Sequence, residues 1–223
     1  MASTDEIYLT VKGKGGHAAM KGTYVNPLLI AAEILLTLEK ELSNSPLEGG
    51  APRAGNVSSR GIPTVLAFGR MHANGATNVI PDEVYMEGTF RTFDETWRSA
   101  AHERMKTMAE KIAEGIGGKC DFRIERGYPV LKNDSALTAK LRSGAEEYMG
   151  KENVTDLDMW MAAEDFSYYS HEIPACFYRL GVRNEKKGIT SPVHTATFNI
   201  DEDALATGMG LMAWLAIGEL KSS

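Results

Sequence analysis

Cysteine is nearly absent from this chain. Its 223 residues hold two, Cys120 and Cys176, far apart and without a CxxC or a histidine-rich neighbourhood. That excludes a disulfide framework or a structural zinc knot, and a reducing cytoplasm is the compartment that fits. Positive charge is in deficit too. With 24 Lys and Arg against 30 Asp and Glu, the formal charge is -6, there is no basic face for a phosphate backbone, and no nucleic-acid partner is expected. No long hydrophobic run is present: the longest apolar stretch, Met209 to Ile217, is too short to span a bilayer. The opening Met1-Ala2-Ser3-Thr4-Asp5-Glu6 lacks the basic and apolar regions of a signal peptide. What remains, 43% hydrophobic and 24% charged, is ordinary for a globular protein.

Ile7, Leu9 and Val11 alternate with Tyr8, Thr10 and Lys12, the period of a strand with one buried face. A glycine-rich turn, Gly13-Lys14-Gly15-Gly16, follows and delivers His17. Small neighbours leave that imidazole uncrowded and let backbone approach a ligand, although a histidine beside glycines is also an ordinary loop residue. Asn26-Pro27 reads as a cap and first residue of a helix whose apolar positions are Leu28, Ala31, Leu35, Leu38 and Leu42. Ser43 to Gly61 is rich in Gly, Pro and Ser and reads as a surface loop. Two strands, Thr64 to Met71 and Glu83 to Thr92, form a hairpin with an elaborated connection.

Asp94 caps a second helix carrying Trp97, Ala101, Met105, Met108, Ile112 and Ile116, ended by Gly117-Gly118, and Cys120, Phe122 and Ile124 mark a fourth strand. The order is β-α-β-β-α-β, which predicts an α+β fold: a ferredoxin-like sandwich over about 1–130. Beyond it, Asp134-Ser135 opens a helix to about Met149, Glu164-Asp165-Phe166 begins a short helical segment, Cys176 to Leu180 reads as a strand, and Asp201 caps a final helix. That last helix is apolar nearly all round and expects cover on more than one face. About 90 residues offer little to cover it, so 131–223 reads as part of a larger domain.

Five ordered motifs carry a family resemblance. They are Glu6 to Met20, Asn78-Val79-Ile80-Pro81-Asp82-Glu83-Val84, Glu87-Gly88-Thr89-Phe90-Arg91-Thr92-Phe93, Ala163-Glu164-Asp165-Phe166 and Val193-His194. In order and spacing they resemble the aminoacylase and carboxypeptidase family of two-metal peptidases, and within it the N-acyl-amino-acid amidohydrolases. The resemblance implies that 1–130 is a ferredoxin-like lid that makes a homodimer. It implies that 131–223 is the closing segment of an α/β catalytic domain. The family's His-Cys-Gly-His-Asp type segment and Glu-Glu pair, which carry most metal ligands and the general base, do not occur in these residues. The expectation is therefore a partial enzyme, inactive and weak in metal binding by itself.

By the same resemblance, zinc, manganese or cobalt serves the complete enzyme and a small N-acyl amino acid is the substrate. His17 corresponds to the residue that stabilises the oxyanion from the partner subunit, and an imidazole is a suitable donor. Asn78 and Arg91 correspond to residues that hold the substrate carboxylate. Arginine suits that task by bidentate bonding, while an exposed strand charge remains the plain alternative for Arg91. His194 corresponds to a metal ligand, against a loop histidine beside Pro192, and one ligand makes no site. Glu164 and Asp165 are carboxylates that orient that ligand set or acids favoured at a helix N-terminus. Lys21-Gly22 after Met20, and Thr195-Ala196 after His194, depart from the family's Met-Pro and Ser-Pro, and the loop from Gly49 to Gly61 looks inserted. These touch substrate preference. The rival reading is a non-catalytic dimerisation module with a vestigial tail. His72, His102 and His171 read as solvated or core-edge residues.

Overall fold

The computed structural model describes residues 1–42 and 62–222, so the loop expected from Ser43 to Gly61 lies outside the described residues. The chain divides into two compact units, Met1–Leu131 with Met159–Tyr168, and Lys132–Asp158 with Tyr169–Ser223.

In the first unit the elements are β1 (Asp5–Lys12), β2 (Gly16–His17), α1 (Pro27–Leu42), β3 (Thr64–Ala73), β4 (Val79–Ile80), β5 (Glu83–Thr92), α2 (Glu95–Gly115) and β6 (Lys119–Arg126). Four of the strands make an antiparallel sheet in the order β3-β5-β1-β6, the ferredoxin-like arrangement that the sequence order predicts. Alternation in β1 places Ile7, Leu9 and Val11 on the inner face, fully buried with Val84, Met86 and Phe90 of β5. α1 and α2 cover that face with Ile30, Ala31, Ile34, Leu38, Ala101, Met105, Ala109 and Ala113. The outer face is polar: Tyr8 hydrogen-bonds Glu6, and the Arg123 guanidinium lies 4.2 Å over the Tyr8 ring.

The helix ends follow their caps. Leu28 N–H donates to Asn26 Oδ1 at 2.9 Å and Trp97 N–H to Asp94 Oδ1 at 2.6 Å. At the end of α2, Gly118 N–H reaches the Ala113 carbonyl and Gly117 N–H the Glu114 carbonyl. Gly117 sits at φ +88°, in the paired pattern that a left-handed residue permits.

Two expected faces shift. In α1 the buried stripe runs through Ile30, Ala31, Ile34, Leu38 and Leu42, while Leu28 is exposed and Leu35 lies at the core's edge. At the end of α2 the cap residue Ile116 is exposed, and within the helix Arg98 is buried. Arg98 is admitted because its charge is met there: Nε donates to Asp5 Oδ2 at 2.9 Å, Nη2 to Asp5 Oδ1 at 2.5 Å, and Nη1 to Glu95. His102 Nε2 lies 2.7 Å from Asp5 Oδ2. Burial opposes ionisation of Asp5, but the hydrogen bonds from His102 and Arg98 outweigh it and hold the carboxyl below its usual range.

The second unit contains α3 (Ser135–Met149), a short 3-10 turn Lys151–Asn153 and α5 (Asp203–Ser222); α4 (Ser167–Glu172) precedes Ile173. Asp134 caps α3 by accepting Leu137 N–H at 2.8 Å. Cys176 to Leu180, expected as a strand, has no regular secondary structure and no sheet pairing among the described residues. The Asn133 side-chain amide stands in for a neighbouring strand, accepting Phe177 N–H and donating to the Phe177 carbonyl, each at 2.9 Å. Apolar cover is thin. α3 buries no residue, and Leu211 and Leu215 are the buried side chains of α5, with Met209, Met212, Trp214, Ile217 and Leu220 exposed. Leu141, Leu180, Leu211 and Leu215 line a cavity of about 820 Å³. No helix among the described residues is long and apolar enough to cross a membrane.

Candidate functional site

Past Lys12 the β1/β5 ladder does not stop but narrows into a ribbon. Gly13 N–H donates to the Asp82 carbonyl at 2.8 Å, Gly15 N–H to Asp82 Oδ1 at 2.8 Å, and Gly16 and His17 pair with Ile80 and Val79. Glycine is required in this passage. A Cβ at position 13 would lie 2.2 Å from the Val25 carbonyl oxygen, and one at 15 would lie 2.8 Å from that of Ile80. The turn after His17 is fixed by three successive amides: Ala18 N–H to the Asn78 carbonyl (2.9 Å), Ala19 N–H to His17 Nδ1 (3.2 Å) and Met20 N–H to the His17 carbonyl (2.9 Å). His17 and Asn78 are thus neighbours, both exposed.

Arg91 lies elsewhere. On β5, three residues past Gly88, it is half-buried and donates from Nη1 to the Met161 carbonyl at 2.9 Å. Ala2 N–H donates to the Trp160 and Ala162 carbonyls at 3.3 and 3.1 Å, so carbonyls 160 to 162 are all tied to the first unit. This tether leads directly into Glu164 and Asp165, whose carbonyls accept Ser167 and Tyr168 N–H and open α4. Arg91 thus holds the chain three residues before Glu164. One of the five guanidinium N–H groups is engaged, and the fork retains donors for a carboxylate.

The two pairs are held apart. Asp5 pairs with Phe90 and Lys12 with Glu83, so the length of β1, about 24 Å at ~3.4 Å per residue, separates Arg91 from the strand ends that lead to His17 and Asn78. Within one chain, Asn78 and Arg91 do not reach a common carboxylate. The strand register puts the two at opposite ends of one sheet.

His194, in the second unit, is exposed in a turn where Thr195 Oγ1 donates to the Pro192 carbonyl at 2.8 Å. It is the one non-glycine residue with positive φ, +64°, among the described residues, a conformation that costs energy and gathers at functional positions. No group of three or more His, Cys, Asp or Glu able to hold a metal occurs among the described residues. These residues by themselves do not fit a metal centre.

Sequence reading missed two contributors, Ala19 and Met161. Each acts through a backbone atom, for which residue type carries no signal.

The ferredoxin-like sandwich thus carries the His17 ribbon at one end of its sheet and Arg91, bonded to the Met161 carbonyl, at the other. Residues 5–116 match the family model described as the peptidase dimerisation domain, and the chain belongs to that family. It is 32% identical over 217 residues to the N-acetylcysteine deacetylase of Bacillus subtilis, covering 97% of this chain and 52% of that protein. It is 30% identical over 222 residues to thermostable carboxypeptidase 2 of Saccharolobus solfataricus, again covering 97% and 52%. The structure superposes on the YXEP protein of Bacillus subtilis, described as a dinuclear metal binding peptidase from the M20 family, with a TM-score of 0.71, 27% identity, and coverage of 100% of this chain and 51% of that one. These relatives are hydrolases, and the chain spans about half the length of the curated relatives it matches.

Proposed function

We propose that this chain forms the dimerising lid and the closing catalytic segment of a metal-dependent amidohydrolase that cleaves N-acyl amino acids in the cytoplasm. The lid is assigned to 1–130 and the catalytic segment to 131–223. The observation that carries the reading is the separation of His17 and Asn78 from Arg91 along the β1/β5 ladder. A small substrate cannot span about 24 Å, so the two groups serve one molecule only if they come from different subunits of a homodimer. Arg91 binds the substrate carboxylate with the donors that Met161 leaves free. His17 of the partner subunit donates to the oxyanion that develops on the amide carbonyl, and Asn78 of that subunit helps hold the substrate carboxylate. Such a donor placed where charge develops lowers the barrier itself, not merely the cost of binding.

Glu164 and Asp165, fixed by the Met161 tether, orient groups on the catalytic side, and His194 contributes one ligand to a set completed by groups outside the described residues. Zinc, manganese or cobalt enters with that set. The test is to dialyse the purified chain against zinc, count bound metal, and assay hippurate and N-acetyl amino acids. The assays are run alone and with a polypeptide matching the part of the Bacillus subtilis deacetylase that this chain does not span. Turnover only in the mixture supports the reading. Stoichiometric metal and turnover by the chain alone overturn the partial-site account, and inactivity of a folded, metal-loaded mixture favours a non-catalytic dimerisation module.

A further inference from the structure

The turn after His17 repeats the logic of an Asx turn, with an imidazole nitrogen in place of the Asp or Asn oxygen. The side chain of the first residue accepts from the amide two residues on, and its carbonyl accepts from the amide three residues on. Here Ala19 N–H approaches Nδ1 at 3.2 Å and Met20 N–H the carbonyl at 2.9 Å. A backbone N–H can only donate, so Nδ1 must offer a lone pair. A neutral imidazole carries one N–H, and with Nδ1 as acceptor the proton sits on Nε2. Ala18 N–H, bonded to the Asn78 carbonyl at 2.9 Å, anchors the same turn to β4, so the acceptor geometry is imposed by the ribbon and not by the ring.

We propose that the Ala19 backbone N–H fixes His17 as its Nε2–H tautomer, so that His17 presents a neutral hydrogen-bond donor and does not serve as a base. Ala19 is the positioning residue, acting through its amide. This deepens the role assigned to His17 above and rests on that reading only for what the donor meets. Nε2 lies across the ring from Nδ1, so the bond that sets the tautomer also aims the free N–H away from the turn. An acceptor of developing negative charge, such as a tetrahedral oxyanion, suits that edge. Abstraction of a substrate proton there does not, because Nε2 has no lone pair to give.

The experiment uses the 223-residue chain labelled uniformly with nitrogen-15, at about pH 9, where a free imidazole is neutral. His17 is assigned by loss of its signals in His17→Gln. The expected spectrum has His17 in one tautomer, Nδ1 at the unprotonated position and Nε2 bearing the proton, with scalar coupling from Nδ1 to the Ala19 amide nitrogen. In His17→Phe the Ala19 amide exchanges about tenfold faster, the effect of losing one hydrogen bond. In His17→Asn, whose Oδ1 restores the acceptor, the protection returns. In Ala19→Pro the coupling disappears and the ring signals move toward a mixture of tautomers; should that variant not fold, the two His17 variants still decide. A protonated Nδ1, or Ala19 exchange unchanged by His17→Phe, overturns the proposal. Loss of the catalytic reading, seen as full turnover in a complete enzyme carrying His17→Ala, leaves these spectra as they are, so the two failures are distinguishable.

Discussion

Replacing Arg98 with Met tests what holds the first unit together. Arg98 and Asp5 are 2% and 0% exposed. The guanidinium donates to both Asp5 oxygens, at 2.9 and 2.5 Å, to the Thr4 carbonyl at 3.2 Å, to the Gly127 carbonyl at 3.1 Å and to Glu95 at 3.0 and 3.1 Å. It therefore ties the start of β1, the start of α2 and the chain leaving β6 to one point. Methionine fills a similar volume but leaves the Asp5 carboxylate buried without its cation. Breaking a buried pair from one side costs about 3–5 kcal/mol, a large part of the ~5–15 kcal/mol that stabilises a typical domain.

Urea unfolding followed by far-ultraviolet circular dichroism should show that loss as a lower midpoint. The double variant Asp5→Leu with Arg98→Met should regain part of it, because the orphaned charge is gone. Acid adds a second arm. The Asp5 carboxyl is held below its usual range despite burial, through His102 and Arg98, so its folded pKa lies under its unfolded one. The stability it contributes is then complete above the ordinary carboxylate value and is lost as pH falls through the folded value. Arg98→Met should weaken that acid dependence. A loss under about 1 kcal/mol, the range of exposed pairs, would refute the reasoning.

Sedimentation at micromolar concentration should give a two-fold dimer, and a strict monomer would count against the lid assignment. Gly13→Ala should lower the melting temperature by the equivalent of about 1–3 kcal/mol, since its Cβ would meet the Val25 carbonyl at 2.2 Å; an unchanged melting curve would show that the ribbon yields. Burial, with help from Glu110 and Asp121, pushes the Cys120 thiol up to about 12, so at neutral pH iodoacetamide should alkylate it far more slowly in the folded chain than in urea.

Much of this fold was legible because local signals agreed with tertiary demand. Ile7, Leu9 and Val11 keep strand period, Asn26, Asp94 and Asp134 cap the helices they precede, and Gly117-Gly118 ends α2. Where a segment is apolar all round, period alone cannot choose a face. α1 carries Leu28, Leu29, Ile30, Leu35 and Leu36 in close succession, and contact with the sheet selects Ile30 and Ile34. Arg98 was invisible because its partner Asp5 is 93 residues away. Cys176 to Leu180 has strand composition, but composition does not supply a neighbouring strand. For the site, motif order named His17, Asn78, Arg91, Glu164, Asp165 and His194. The separation of Arg91 from His17 and Asn78 needed the β1/β5 register, which no motif encodes.

In the proposed dimer, one site draws Arg91 from one subunit and His17 from its partner. A chimera in which this chain replaces the matching part of the Bacillus subtilis N-acetylcysteine deacetylase supplies a complete enzyme in which to measure it. Chimeras carrying His17→Ala or Arg91→Ala are each expected to be nearly inactive on N-acetylcysteine. Mixed dimers of the two then decide the matter: action across the interface leaves one intact site in each heterodimer, and turnover should recover toward half that of the unmodified chimera. Heterodimers no more active than their parents, with subunit exchange verified, would contradict the account.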